Sequence, residues 1–130
     1  MFCFGDRIRR QQVNCAGGIH CTQGLFLCGL GKPVPVGSLP PNAWGLHEMH
    51  GNVQEITQDD WSDQHVPGPR SATEAHRSSD PRHRQMRVVR GGSWFDPPGA
   101  CRSASRSSRQ LHEFDLNLGF RLVRDISGRT

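Results

Sequence analysis

A polar loop between two short arginine-bearing segments carries the side chains best suited to chemistry in this sequence. The segments are RVVRGGSW at 87–94 and GFRLVR at 119–124, and the loop runs from 96 to 117. Its groups that can bind anions or hydrogen-bond a ligand include Arg102, Ser105, Arg106, Arg109 and His112. Loops held on a rigid frame commonly carry function. A plain polar connection is the alternative interpretation of the same residues.

A second set of polar residues could hold a metal ion. Asn52, Glu55, Asp59 and Asp60 offer hard oxygen ligands close together in the chain, which suits calcium. The set lacks the spacing of a helix-loop-helix calcium site. From composition alone, a solvated acidic face is therefore the favoured interpretation.

The five cysteines do not indicate a framework of disulfides or a zinc module. Their number is odd, and no two of them have C-x-x-C spacing. The cysteines are Cys3, Cys15, Cys21, Cys28 and Cys101. A metal cluster of His20 with Cys21 and its neighbours is disfavoured for the same reason. The apolar run LFLC at 25–28 is interpreted as a buried strand.

Short strands and turns must position these groups. Val88 and Val89 are β-branched and the run 120–123 is apolar, so both segments are predicted as strands. Alternation over 53–58 indicates another strand. Turns or bends are predicted at Pro40–Asn42, Gly51–Asn52 and Gly91–Gly92. The residues predicted to lie in the core are Trp44, Leu46 and Met49, with Trp94 or Phe95 anchoring the loop by burying its ring.

Length and composition fit one small, loop-rich domain. The chain has 130 residues, 34% of them hydrophobic, with 15 glycines, 9 prolines and no tyrosine. It has no sustained amphipathic helix pattern. No segment approaches the roughly twenty apolar residues needed to cross a membrane, and no secretory pattern follows Met1. The expected location is the cytoplasm, with a signal peptide lost upstream of Met1 as the alternative.

The positive charge comes almost entirely from arginine. The only lysine among the sixteen Lys and Arg residues is Lys32, and the formal net charge is +4. The stretch 67–87 is the most basic, yet it contains no interleaved aromatic residues, so binding to nucleic acid is not expected. A flexible insertion loop over 62–86 is favoured instead.

Three motifs in a fixed order resemble the formylglycine-generating enzyme family, also called the sulfatase-modifying factor domain. They are PPNAWGLHEMHGNVQE at 40–55, RVVRGGSW at 87–94 and NLGFRLV at 117–123. The earlier segments FGD, VNCAGG and KPVPVG resemble the family's approach to the first motif. The resemblance thus covers most of 1–130 as a single domain, and it implies that the family's N-terminal half is absent.

The resemblance implies an α+β fold of the irregular C-type-lectin-like kind, with short antiparallel strands and long ordered loops. It also implies a structural calcium ion. Asn52 and Glu55 match the family's glycine-asparagine-x-x-glutamate motif, and Asn14 is a candidate at the other calcium position. With this context, calcium is preferred to a solvated acidic face.

The family's enzymes oxidise a cysteine of a nascent sulfatase to formylglycine, using oxygen and a copper ion held by two cysteine thiolates. Those thiols should lie a few residues apart, just after the glycine-glycine-serine motif, where copper(I) would find the sulfur ligands it prefers. This chain has no cysteine there before Cys101, which we expect to be a buried packing residue. Copper is therefore not expected. Ser93 and Asn117 match family positions near the cleft, whereas Gln54 and Ile56 replace the usual tryptophans.

We therefore expect a non-catalytic module that binds a protein or a small molecule on the loop 95–117, as in diversified ligand-binding members of the family. The ligand-binding candidates are Trp94, Phe95, Asp96, Arg102, Ser105, Arg106, His112 and Phe114; the cleft candidates are Ser93, Cys101 and Asn117. One alternative is an oxidoreductase that makes formylglycine or a related sulfoxide. Another is an incomplete fragment of a longer protein. The sequence leaves the question of enzymatic activity open.

Overall fold

A computed structural model of the chain describes residues 1–16, 30–64 and 75–124. Four strands in this part form one sheet in the order β3-β2-β1-β4. They are β1 (Gln54–Asp60), β2 (Met86–Arg90), β3 (Ser107–Gln110) and β4 (Leu118–Phe120). A one-turn helix, α1 (Pro81–Arg84), leads into β2, and a 3₁₀ turn spans Pro98–Cys101. The irregular, loop-rich α+β architecture predicted from the sequence is confirmed.

The two central strands are those with the clearest sequence signal. β1 and β2 pair antiparallel, with Ile56 opposite Val89. Val88 and Val89 are buried in the sheet, as expected of β-branched side chains on a pleated surface. β3 continues the antiparallel pairing, but β4 runs parallel to β1, with Gln54 beside Leu118. The sheet is therefore mixed: β1, β2 and β3 pair antiparallel as predicted, and β4 adds a parallel edge.

The last strand ends earlier than the apolar run 120–123 predicts. β4 stops at Phe120, and the side chains of Leu122 and Val123 lie exposed beyond it. Directly after Phe120, the guanidinium of Arg121 donates to the carboxylate of Glu55 at 2.6 to 3.1 Å. An ion pair to β1 therefore holds this segment in place of continued strand pairing.

The main apolar cluster lies outside the sheet and is built largely from the first sixteen residues. Its buried members are Phe2, Ile8, Val13, Cys15 and Cys101. The ring of His50 packs edge-on against Phe2, with 5.5 Å between ring centroids. The fold thus joins the N-terminal segment to the 3₁₀ turn after the glycine-glycine-serine motif.

His50 is a buried polar residue that the sequence does not single out. Its Nε2 accepts the Cys3 N–H at 2.9 Å, so its Nδ1–H donates to the Cys101 carbonyl at 2.7 Å. Burial lowers the pKa of His50, although the Cys101 carbonyl opposes this shift. The neutral imidazole is therefore the form that ties the N-terminus to the turn.

The turn near Pro40–Asn42 forms, but the core residues predicted after it do not. Gly45 N–H donates to the Asn42 carbonyl, and the Asn42 side-chain oxygen accepts the N–H groups of Trp44 and Leu46. Trp44 is 80% exposed and Leu46 is also exposed, while Met49 is half-buried. Because buried Asn42 draws the backbone amides inward, both side chains lie outward.

The predicted insertion 62–86 contains ordered contacts over its second part. His76 N–H donates to Asp59 at 2.6 Å, and Ser78 N–H donates to Asp60 at 3.0 Å. Asp80 caps α1 through a bond from the Arg82 N–H. Positions 65–74 lie outside the described residues, as do the LFLC run and the proposed cluster at 20–21. Within the described part, no helix has the length and apolar character to cross a membrane.

Candidate functional site beneath the loop

Ser93 lies at the centre of the candidate cleft as a fully buried hydroxyl. Gly91 and Gly92 turn the chain at the end of β2 with φ angles of 87° and 66°. A Cβ at Gly92 would lie 2.6 Å from the Cys101 sulfur, so this approach requires glycine. Ser93 Oγ donates to Asp96 Oδ2 at 2.7 Å. The hydroxyl proton is thus engaged by a carboxylate.

Asp96 lies in the segment where the family resemblance implies the copper-binding thiols. Its Oδ2 accepts bonds from Ser93 and from Gln54 Nε2, the latter at 2.9 Å. Its backbone carbonyl accepts the Ala16 N–H. Asp96 therefore joins the loop to β1 through its carboxylate and to the N-terminal segment through its backbone carbonyl.

Arg109 extends this network to the far side of the loop. From β3, its Nε donates to Gln54 Oε1 at 3.2 Å and its Nη1 donates to Glu113 Oε1 at 3.1 Å. Its Nη2 also lies 3.8 Å from an Asp115 oxygen. Gln54 is not among the ligand-binding or cleft residues predicted from the sequence, and Arg109 is predicted only as one of the loop's polar groups. The signal that could have found them is the amide at position 54, where the family usually has a tryptophan.

Asn117 closes the network at the start of β4. Its side-chain amide lies 3.4 Å from Ser93 Oγ, and with its NH₂ facing Asp115 it donates to Asp115 Oδ2 at 2.9 Å. Its backbone carbonyl accepts the Gln54 N–H at 2.7 Å. The structure therefore places Ser93 and Asn117 together, as the motif positions imply.

Cys101, the third cleft candidate, belongs to the core. It is fully buried in the same apolar cluster as Cys15, which is also a free thiol, and its Sγ lies 3.9 Å from the Ser93 carbonyl oxygen. The neighbouring Cys15 thiol and burial raise the pKa of Cys101, while the neighbouring Cys101 thiol lowers the pKa of Cys15. Since the thiolate is the form that binds metal or attacks, the protonated Cys101 is a packing residue, as expected from the sequence.

The remaining loop residues differ in how far they are free to meet a ligand. Trp94 is half-buried, with its Nε1 enclosed and without a hydrogen-bond partner in the described part of the chain. Its ring contacts Phe95 edge-on at 5.5 Å, and Phe95 is exposed. Trp94 is therefore the ring that anchors the loop. The other exposed candidates are Arg102, His112 and Phe114; Ser105 is half-buried.

Arg106 makes its contacts outside the hydrogen-bond network around Ser93. Its guanidinium lies 5.0 Å from the centre of the Trp61 ring, and its Nη2 donates to the Ser62 carbonyl at 3.2 Å. This cation–π contact fastens the loop to the segment that follows β1. Arg106 thus supports the loop, and its role in ligand binding stays a prediction.

The residues implied as calcium ligands are engaged by other groups. Asn52 Oδ1 accepts the Val34 N–H at 2.9 Å and lies 3.5 Å from Asn14 Nδ2, while Asn14 Oδ1 accepts the Leu30 N–H. Glu55 gives both oxygens to Arg121, as described above. No group of three or more His, Cys, Asp or Glu residues suited to a metal occurs in the described ranges. In this structure the predicted calcium ligands are therefore bonded to protein groups, and calcium stays a prediction.

The neighbourhood of Ser93 does not fit a copper ion. Copper(I) prefers thiolate and thioether sulfur at low coordination number. The Ser93 hydroxyl meets the carboxylate of Asp96 and the amide of Asn117, and the Gln54 amide bonds the same carboxylate. The Cys101 thiol lies 3.9 Å from the Ser93 carbonyl, inside the apolar cluster that also contains Cys15.

Comparison with known proteins places this geometry in a family. The sulfatase-modifying factor enzyme 1-like domain matches residues 29–126. The formylglycine-generating enzyme of Mus musculus is 35% identical over 75% of this chain and 26% of its own length. That of Mycobacterium tuberculosis is 34% identical over 72% of this chain and 34% of its own length. The chain thus spans about a quarter to a third of these relatives.

Solved structures agree with the sequence comparison. PvdO from Pseudomonas aeruginosa is 30% identical, with a TM-score of 0.66 over 92% of this chain and 42% of its own. Treponema denticola variable protein 1, at 23% identity, shares the fold with a TM-score of 0.58 over 85% of this chain and 34% of its own. Because the family model matches well over half of the sequence, the chain belongs to the sulfatase-modifying factor enzyme 1-like domain family.

Proposed function

We propose that this chain is a non-catalytic binding module of the sulfatase-modifying factor family, whose ligand contacts the surface of the loop 95–117. The observation that carries the proposal is the chemistry around Ser93. A carboxylate, Asp96, stands in the segment where the family's oxidases need thiols, and the thiol of Cys101 is buried against Cys15. The chain therefore keeps the family's frame without the thiol pair that the resemblance places just after the glycine-glycine-serine motif.

The polar network supports binding because it fixes the shape of the loop. Gln54 connects both ends of the loop to β1, through its side chain to Asp96 and through its N–H to the Asn117 carbonyl, and Arg109 bonds the Gln54 side chain from within the loop. A loop already held in one conformation loses less conformational entropy when a ligand binds. The network thus favours a preformed surface over a reactive centre.

Exposed apolar side chains give this surface something to bind with. Phe114 is 95% exposed, and Phe95, Leu111 and Leu116 are exposed on the same loop. Contiguous exposed apolar surface commonly marks an interaction site. Arg102 and His112 add polar groups to it. A protein or peptide ligand with apolar side chains suits this composition best.

The second candidate function is the formylglycine-forming oxidation itself, which the 35% identity to the Mus musculus enzyme favours. The two candidates separate in an aldehyde assay. The chain is incubated with copper(I), oxygen and a peptide carrying the sulfatase cysteine motif, beside the Mycobacterium tuberculosis enzyme as a positive control. We expect no aldehyde above the protein-free blank. Turnover that Cys101→Ala abolishes would contradict the binding-module proposal.

Binding is tested in the same preparation with a random peptide library displayed on phage. Peptides selected on the chain should lose at least about tenfold in affinity when Phe95 and Phe114 are both replaced by serine, because aromatic anchors commonly dominate interface energies. Leu122→Ser removes an equally exposed apolar side chain outside the loop and serves as the matched control. Equal losses in both variants would place the ligand elsewhere.

A further inference from the structure

An open cavity of about 570 Å³ lies where the end of β1 meets the segment that precedes β2. It is separate from the network around Ser93. Its walls are formed by Asp60, Arg77, Ser78, Ser79, Arg84 and Arg87. Three guanidinium groups and one carboxylate give the lining an excess of positive charge, and two serines add hydroxyl groups.

The single carboxylate is already bound and acts as a brace. Asp60 is 2% exposed, and its Oδ2 accepts the Ser78 N–H at 3.0 Å. Its Oδ1 accepts bonds from Arg77 Nη1 at 3.1 Å and from Arg87 Nη1 at 2.5 Å. Asp60 accepts a bond from one nitrogen of each arginine, and these two bonds fix the position of both guanidinium groups at the cavity.

The guanidinium groups keep donors available. Arg84 donates through Nε to the Ser78 carbonyl at 2.8 Å, and its two terminal nitrogens have no partner within the described ranges. Arg77 and Arg87 bond only through Nη1 in this part of the chain. The hydroxyl oxygen of Ser78, Oγ, accepts the Asp80 N–H, and the hydroxyl proton stays available to donate to a ligand. Anchored forks with unused N–H groups match the geometry of an oxyanion.

We propose that this cavity binds a phosphate group in its dianionic, monoester-like form. A phosphomonoester carries a charge of about −1.5 to −2 near pH 7 and three strong acceptor oxygens. The lining offers a charge excess of two, from three arginines against Asp60, and donors from several directions. A phosphodiester, as in a nucleic-acid backbone, carries one charge and fewer terminal oxygens, so it fits less well.

The chain contains a matched pair of arginines for the test. Arg84 lines the cavity, whereas Arg82, on the same one-turn helix, is 86% exposed and pairs with Asp80. Arg84→Gln and Arg82→Gln remove the same charge from neighbouring positions. A loss of nonspecific attraction would affect both variants alike, and loss of a site would affect only Arg84→Gln.

The experiment is calorimetric titration of the full chain with inorganic phosphate, phenyl phosphate and dimethyl phosphate, at ionic strength held constant with sodium chloride. We expect saturable binding of the first two, weakened at least tenfold by Arg84→Gln and less than twofold by Arg82→Gln. Binding of phenyl phosphate but not inorganic phosphate would assign the site to an organic phosphomonoester. Tighter binding of inorganic phosphate would assign it to the free ion.

Two outcomes would overturn the proposal. One is no saturable heat with any phosphate; the other is dimethyl phosphate binding as well as the dianions. Arg77→Gln, at a side chain that is mostly exposed, gives a second variant if Arg84→Gln does not fold. Its affinity for phosphate should also fall, and an unchanged value would count against the site.

Discussion

Asp60→Ala is expected to lower the free energy of unfolding by about 3–5 kcal/mol, the usual range when one partner of a buried ion pair is removed. The carboxylate is almost fully buried and accepts bonds from Ser78, Arg77 and Arg87. Its loss leaves the half-buried Arg87 without its counter-charge. Urea denaturation monitored by tryptophan fluorescence measures the change. Asp63→Ala, at a mostly exposed carboxylate, should cost less than about 1 kcal/mol.

The same substitution should change the acid limb of the stability profile. Burial alone would raise the pKa of Asp60, but the Ser78 N–H, Arg77 and Arg87 together lower it below the usual value. A lowered pKa contributes stability above the unfolded value of about 3.9, and this contribution is lost as the pH falls through the folded pKa. Asp60→Ala should therefore lose less stability than the native chain below pH 4. Identical acid limbs would show that Asp60 carries no such linkage.

Gly51→Ala is expected to destabilise the fold by at least about 3 kcal/mol. Gly51 has a φ of +71°, and a Cβ there would lie 2.1 Å from the backbone oxygen of Asn14. Left-handed strain alone costs about 1–3 kcal/mol, and the contact with rigid backbone adds to it. The bridge between Asn14 and Gly51, which joins the N-terminal segment to β1, would have to separate.

Gly45 provides the control for this prediction. Its φ is +76°, close to that of Gly51, but no atom lies within 4 Å of a Cβ built there. Gly45→Ala should therefore report the backbone strain without the steric contact and cost about 1 kcal/mol. Denaturation midpoints of the two variants give the difference. Equal midpoints would mean that the approach of Asn14 to Gly51 does not constrain the chain.

The features predicted correctly from the sequence are those with a local cause. The β-branched pair Val88 and Val89 predicts β2, and the alternation over 53–58 predicts β1. Glycine and asparagine predict the bends at Gly51–Asn52 and Gly91–Gly92, where the backbone does have positive φ. In each case, the residue type favours its conformation without help from distant parts of the chain.

The features missed depend on partners far away in sequence. Gln54 meets Asp96 across 42 positions and Arg109 across 55, so no window along the chain reveals the network. The exposure of Trp44 has a local cause instead, since the Asn42 side chain two residues earlier accepts its N–H and its ring lies outward. The distant hydrogen bonds of Gln54 and this local side-chain bond are the two causes that hydrophobic pattern alone does not reveal.

The cavity proposed to bind phosphate also depends on contacts between residues that are distant in sequence. The basic residues near 77–87 look like a solvated, flexible stretch when they are taken in sequence order. Only the bonds of Arg77, Arg87 and Ser78 to Asp60, at the end of β1, make them the wall of a cavity. The buried carboxylate of Asp60 thus orders basic residues that the sequence alone predicts to be flexible.

The proposal of a non-catalytic module depends on the burial of the Cys101 thiol, and native-state alkylation measures that burial. The folded chain is treated with iodoacetamide, and the rate at each cysteine is followed by peptide mass mapping, with and without urea. We predict that exposed Cys3 reacts in the folded chain, while Cys15 and Cys101 react only as the chain unfolds. Alkylation of Cys101 in the folded chain as fast as Cys3 would place its thiol in the cleft and contradict this account.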